Sequence, residues 1–437
     1  MDTATLVALV LVGGMVLLIA LGVPIAVAMG LPSAVATMVL LGWDGAALTS
    51  AQRLFSGSNS FALLAIPFFV LAGGLMNAGG LARRLIDFAL VVAGRLPASL
   101  AQTTVVANTL FGAVSGASVA SAAAVGSVLA PRMKEEGYDP AFSAAVNAAA
   151  SPTGMLIPPS NTFIIYSLVS GTSVAALFMA GIGPGLLWSG ICVLMVALYA
   201  RKRPELRATE RPTLRQGLLV LWRAVPALFM MVVVVGGILV GAFTATESAV
   251  IAVVYALVAG FATRTLKVGA LPGVILEAAK TTAIVMLLIG VSGILAWVMS
   301  FARIPTLVSD AMLGLTDNKV LVLLMIMVVL LIAGTVMDPT PAILIFTPIF
   351  LPIVTGLGVS PIHFGAMMVF NMCLGNISPP VGNNLFVAAR VAGVKVEPVI
   401  GRLMPMFYAL TASLFIVTFV PELSMWLPEQ LGLINAP

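Results

Sequence analysis

The sequence predicts an all-α integral membrane protein built from two inverted repeats, with about 10–11 transmembrane helices and two re-entrant hairpins. Three observations carry that expectation. Of the 437 residues, 61% are hydrophobic and only 8% are charged. A water-soluble domain is about a quarter charged, so there is too little polar surface here to coat one. The uncharged runs are long and continuously apolar, which suits helices and not the short alternating segments of a membrane barrel. Finally, one pattern of Gly, Pro and Ala recurs at a nearly constant offset.

A helix needs about 20 apolar residues to cross a bilayer. Thr3 to Trp43 is long enough for two spans, jointed at Gly22-Val23-Pro24. Leu54 to Ala82 holds one span. Leu96 to Pro131 is too long for one span and too short for two. Pro140 to Ala200 holds at least two. Ala224 to Thr246, Ser248 to Thr263 and Thr281 to Ala302 each hold one. Val320 to Ala389 is a long run whose single formal charge is Asp338, and Leu403 to Val420 ends the series. Met1 to Leu11 has no basic region ahead of its apolar residues, so a membrane helix is expected there and not a cleaved signal peptide.

The repeat is read from spacing. Pro131, Gly137, Pro140, Ala145, Gly154 and Pro158-Pro159 return 221 residues later as Pro352, Gly358, Pro361, Ala366, Gly375 and Pro379-Pro380. The first repeat then spans residues 1–200, with a hairpin at about 102–132 and a broken helix at about 140–176. The second spans 224–437, with a hairpin at about 321–354 and a broken helix at about 361–390. Between them lies the basic segment 201–223, a solvated linker expected in the cytoplasm by the positive-inside rule. Five crossings and one hairpin per half leave only Arg53, Arg303 and Lys319 of the 21 basic residues outside. An odd number of crossings per half makes the repeats inverted.

Four polar breaks interrupt the apolar runs, two per half: Ser115-Gly116-Ala117-Ser118, Ser151 to Thr162, Gly334 to Pro341 and Gly375 to Asn384. Paired prolines remove donors and clash with the preceding turn, so no continuous helix passes Pro158-Pro159 or Pro379-Pro380. Freed carbonyls at membrane depth need protein, water or an ion as partner. Helix C-terminal carbonyls suit a hard cation and helix N-termini an anion.

Asp338 is the sharpest single residue, because a charged carboxylate mid-membrane costs about 2.5–3.5 kcal/mol on insertion scales. The alternative is a hairpin-tip cap, since Asp-Pro starts turns well. Glu247, in Thr244-Ala245-Thr246-Glu247, reads as a helix-start residue. His363 reads as interfacial. Cys192 and Cys373 form no disulfide framework or metal motif. There is no Walker A motif, one histidine cannot make H-E-x-x-H, and net +5 from sparse charges is no nucleic-acid surface. A soluble enzyme is excluded, and no enzymatic activity is expected.

With those residues in view, the sequence resembles the large membrane subunit, DctM type, of the tripartite ATP-independent periplasmic (TRAP) transporters. The carriers are Ser-Gly-Ala-Ser at 115–118, Pro-Pro-Ser-Asn-Thr at 158–162, Thr-x-x-Glu at 244–247, Met-Asp-Pro-Thr-Pro at 337–341 and Pro-Pro-Val-Gly-Asn-Asn at 379–384. The resemblance implies an ion-transporter-like elevator fold in the bacterial inner membrane. A mobile domain of hairpins and broken helices would move against a scaffold braced by arm helices near Leu81–Leu96 and Arg303–Leu315. It implies sodium-coupled uptake of an organic acid: a C4-dicarboxylate, a sialic acid or a related carboxylate. The implied partners are a small four-helix membrane subunit (DctQ type) and a periplasmic substrate-binding protein (DctP type). By the same resemblance Ser115, Ser160, Asn161, Asp338 and Asn383 would contact substrate. Na⁺ would sit among Gly112, Ser115, Ser118, Gly154, Gly334, Thr335, Asp338, Gly375 and Gly382. A solo cation-coupled organic-anion transporter without a binding protein is the alternative. A channel or membrane enzyme is a third reading.

Overall fold

The computed structural model describes residues 3–201, 203, 213–379 and 382–434. Residues 202 and 204–212 of the central linker, Pro380 of the second proline pair and Val381 therefore lie outside the described residues, and the linker's last ten residues, expected to be solvated, form the first turns of helix Leu214–Leu239. Among those described, every regular element is a helix. Nine are long and apolar enough to cross a membrane, the two arms of the second hairpin among them.

Glycine and proline set the punctuation. The first helix, Thr3–Ala8 continuing through a π-turn at Leu9–Gly13 into Gly14–Ala20, stops where Gly22 takes φ +74°. Pro24 then starts Ile25–Ser58, at the joint the sequence predicts. That helix has 34 residues. At 1.5 Å per residue it would reach about 50 Å, well beyond a ~30 Å hydrocarbon core. Gly42, at φ 70° and ψ −178°, breaks it into two legs. The second leg was not expected, because the sequence reading ended that run at Trp43.

The next span runs Phe61–Ala78, and the amphipathic helix Leu81–Ala93 follows. The first hairpin is Ser99–Ser115 and Ser118–Glu135. The first broken helix is Pro140–Ala150, a single turn Thr153–Leu156, and Asn161–Ser170, with a cis bond between Pro158 and Pro159. Val174–Arg201 closes the half.

The second half runs through the same order. Leu214–Leu239, Ala245–Ala262 and Leu271–Phe301 lead to the short helix Ile304–Leu313. The hairpin Lys319–Val336 and Pro339–Gly356 follows, then the broken helix Pro361–Gly375 and Asn383–Ala392, then Val396–Phe419. Leu271–Phe301 begins ten residues before the expected Thr281. Lys280 looked like the end of an apolar run, but it pairs with Glu277 at 2.8 Å and the helix continues through both.

The helices sort into two groups. Hairpins, broken helices, Val174–Arg201 and Val396–Phe419 pack together. Each broken helix packs on the hairpin of the other half: Asn161–Ser170 lies on Pro339–Gly356, and Asn383–Ala392 lies on Ser118–Glu135. Within each half, a glycine pair lets hairpin and broken helix touch. A methyl on Gly112 would come 2.5 Å from the Gly154 Cα, and one on Gly375 would come 2.5 Å from the Gly334 Cα. Ile362 to Gly375 is buried on all sides, as a helix apolar all round should be. Ile25–Ser58, Phe61–Ala78, Ala245–Ala262 and Leu271–Phe301 form the second group.

His363 is buried, not interfacial. Its Nδ1 lies 2.7 Å from Ser424 Oγ, and its Nε2 lies 3.1 Å from the Thr418 carbonyl. These two contacts remove the need for water. Glu247 closes a capping box, accepting from the Thr244 backbone at 2.8 Å, as its position suggested.

Candidate functional site

A cavity of about 1140 Å³ lies where the two helix groups meet. One wall brings together Ser115 to Ala120 of the first hairpin, Asn161 and Thr162 after the first break, Asp338 to Pro341 of the second hairpin, and Asn376 of the second break. The facing wall is scaffold: Pro24 to Ala26, Ile66, Val70, Gly73, Asn77 and Gly273 to Leu288.

Local chemistry puts each tip there. Ser99–Ser115 ends because Gly116 takes φ +61° and donates back to the Gly112 carbonyl. A glycine at this position carries no Cβ penalty. It also has no room for one: a Cβ would lie 3.0 Å from the Pro159 carbonyl oxygen. The first tip is therefore seated on the first break. At the second tip, Asp338 holds the N-cap position of Pro339–Gly356 but makes no side-chain cap bond. Its carboxylate instead accepts from Asn383 Nδ2 at 2.5 Å.

Asp338 is exposed to the cavity. The insertion cost argued from its apolar neighbours along the chain does not apply in full, because the tip opens into polar space. The cap alternative survives only as a backbone position.

The other expected residues divide by place. Ser115, Ser118 and Asn161 line the cavity with Asp338. Ser160 lies behind the wall, fully buried. Its Oγ donates to the Met155 carbonyl at 2.6 Å and accepts from Phe163 N–H at 3.4 Å, so it caps Asn161–Ser170. Asn383 reaches the site through Asp338. Gly112, Gly154, Gly334 and Gly375 are at the helix crossings and not on the cavity surface. Thr335 donates to the Leu331 carbonyl at 2.9 Å. Gly382 ends the second break, donating to the Ser378 carbonyl at 2.9 Å.

Sequence reasoning missed the scaffold wall. Glu277 lines the cavity as its second carboxylate, and no Lys or Arg lines it among the described residues. Nothing local marks Glu277, which reads as half of an ordinary i,i+3 ion pair. Asn376 lies within the Gly375 to Asn384 break, and no local pattern marks it as a site residue. Its Nδ2 donates to Ser118 Oγ at 3.0 Å, joining the second break to the first hairpin.

Two side-chain amides beside the breaks have atoms left without partners. Both side-chain atoms of Asn384, and Oδ1 of Asn161, are buried without a hydrogen-bond partner. Buried amides are nearly always paired; unpaired amide oxygens also occur at Gln102 and Asn371, but those of Asn161 and Asn384 lie beside the breaks. No cluster of three His, Cys, Asp or Glu side chains occurs among the described residues. The donor set is amide, hydroxyl and carbonyl oxygen, which suits a hard cation and not zinc.

Fold and site together define a multi-spanning membrane protein in which paired hairpins and paired broken helices face a scaffold across one cavity. The chain belongs to the family described as "Tripartite ATP-independent periplasmic transporter, DctM component", which matches residues 12–423. It is 47% identical over 421 residues to the uncharacterized protein YgiK of Salmonella typhimurium, covering 96% of this chain and 97% of that one. It is 42% identical to the C4-dicarboxylate TRAP transporter large permease protein DctM of Pseudomonas aeruginosa, covering 91% and 93%. It is 32% identical to the sialic acid TRAP transporter large permease protein SiaM of Vibrio cholerae, covering 87% and 89%. In fold it is similar to the YdaH transporter of Alcanivorax borkumensis, with a TM-score of 0.63 at 17% identity over 90% of both chains. The DctM and SiaM relatives are TRAP transporter large permease proteins and not enzymes.

Proposed function

We propose that the chain is the large subunit of a sodium-coupled, elevator-type importer of an organic acid in the bacterial inner membrane. A periplasmic binding protein would deliver the acid, and a small four-helix membrane subunit would brace the scaffold. One observation carries the reading: a single cavity takes one wall from both hairpins and both breaks and the other from the facing helices, with Asp338 as a carboxylate without an ion partner among the described residues and Glu277 paired to Lys280. An organic anion there would lean on the helix N-termini at Ser118 and Asn161 and on hydroxyls. Asp338 would repel it unless a cation entered too, whereas Glu277 is already paired with Lys280, so the Asp338 charge is what supports coupling to Na⁺. Asn161, Asn384, Asp338 and the break carbonyls are the oxygens available to that ion. The relatives' substrates, C4-dicarboxylate and sialic acid, indicate the class of acid. The basic segment 201–213 and the start of helix Leu214–Leu239 would be on the cytoplasmic side, with Arg83, Arg84 and Arg95 on the same side.

The test is reconstitution in liposomes with both partners, following labelled acids with and without an inward Na⁺ gradient. Uptake that needs the gradient and all three components supports the reading. Uptake without the binding protein favours a solo transporter. Uptake indifferent to the gradient defeats sodium coupling.

A further inference from the structure

The basic residues at the outer edge of Leu81–Ala93 have no ion partner among the described residues. The helix lies in a seam. On one side Ala82, Ile86 and Ala89 pack on Ala107, Phe111, Val125 and Leu129 of the first hairpin. On the other it packs along Leu214–Leu239, where Gly217 faces Val91. With both flanks filled, its charges remain at the outer edge. Arg83 and Arg95 are exposed, as are Arg215 and Arg223 on the adjoining helix, and Arg84 is half-buried.

Acids are nearly absent there. Asp87 is the only one between Leu81 and Pro97, and there is none between Thr213 and Pro226. The ion pairs among the described residues, Lys280–Glu277 and Arg402–Asp139, involve none of these arginines. The corresponding short helix of the second half, Ile304–Leu313, carries Asp310 and follows a single Arg303, so the basic edge belongs to one half only.

The same surface is strongly apolar beside its charges. Trp222 is 77% exposed and Leu218 is 67% exposed, on a helix apolar enough to span a membrane. Exposed Trp next to Arg, with leucines alongside, is the composition of a headgroup-level belt and not of a solvated loop. Arginine stems lie on apolar surface while the guanidinium reaches the interface, where its fork matches phosphate oxygens two at a time.

We propose that Arg83, Arg84, Arg95, Arg215 and Arg223 form a binding site for anionic phospholipid headgroups, clamping this arm to the adjoining helix Leu214–Leu239. The site is independent of the transported substrate. It is tested by native mass spectrometry of the full chain titrated with phosphatidylglycerol, cardiolipin or phosphatidylcholine. The wild type should retain the two anionic lipids and not phosphatidylcholine. Removing two charges, as Arg83→Gln/Arg84→Gln or as Arg215→Gln/Arg223→Gln, should weaken retention about thirtyfold. The control Arg390→Gln/Lys395→Gln removes two exposed charges at the end of the second broken helix and should leave it nearly unchanged. Unchanged retention in the arm variants overturns the site, and equal loss in the control reduces it to bulk surface charge. If the arm variants fail to assemble, wild-type retention is measured against ionic strength: a steep fall with salt supports the site, and salt-independent retention overturns it.

Discussion

The contact between Gly73 and Ser115 is where motion of the hairpin wall against the scaffold can be tested most directly. Gly73 belongs to scaffold helix Ala65–Ala78, and Ser115 ends the first arm of the first hairpin. A β-carbon built on Gly73 lies 3.5 Å from Ser115 Cβ and 3.2 Å from its Cα. Disulfides form at Cβ separations of about 3.5–4.5 Å, so Gly73→Cys/Ser115→Cys should oxidise with little backbone movement. The shorter contact requires a shift of a few tenths of an ångström, within reach of a helix packed beside a cavity. Native Cys192 and Cys373 are buried, so they should not compete. The double variant would be reconstituted with its partners and oxidised, with bond formation checked by mass. Sodium-driven uptake would then be measured before and after reductant. If the hairpin must leave Gly73 during each cycle, the oxidised protein should be inactive and reductant should restore it. Ser115→Cys alone separates the loss due to the bond from the loss of the hydroxyl. Wild-type uptake by fully crosslinked protein would refute the moving wall, and thiols that never crosslink would refute the placement of Gly73 against Ser115.

Other outcomes follow from the same geometry. Asp338→Ala should abolish uptake while the protein still inserts and assembles, as read by size-exclusion profile and liposome uptake; wild-type uptake would remove Asp338 from the site. Gly154→Ala places a methyl 2.6 Å from the Gly112 Cα, and should cost about 1–3 kcal/mol by overpacking, seen as a lower melting temperature. Asp139 accepts from Ala141 N–H as a helix cap and pairs with Arg402 at 2.8 Å. Asp139→Ala should therefore lower the melting temperature more than Arg402→Ala, because a cap is worth about 1 kcal/mol and a surface ion pair less than that. Glu247→Gln keeps a side chain able to complete the capping box with Thr244, so uptake should persist, whereas a large loss would give Glu247 a role in transport.

Much of the fold was legible because glycine and proline act locally. Gly22-Val23-Pro24, Gly116 and Pro158-Pro159 end helices whatever surrounds them, and each break stands where it was expected. The capping box at Thr244 is equally local. Readings that needed a neighbour fared differently. His363 was placed at an interface because nothing nearby in sequence reveals Ser424 and Thr418, which enclose it. The start of Leu271–Phe301 was misplaced because a run-length count treats Lys280 as a boundary, while its partner Glu277 lets the helix continue. Ser160 shares a motif with Asn161, yet helical geometry turns one inward as a cap and the other to the cavity.

By itself the sequence determined that this is a multi-spanning helical membrane protein, where its helices break, and that Asp338 stands at a hairpin tip. Those properties depend on composition and short-range backbone chemistry, which are complete within a few residues. Only the tertiary structure decided which breaks meet. It joined Asn376 to Ser118 and Asn383 to Asp338, set the glycine pairs at the crossings, and placed Glu277 across the cavity from the hairpin wall. Such contacts join residues tens to hundreds of positions apart, and their partners are chosen by packing between helices, which no local pattern encodes.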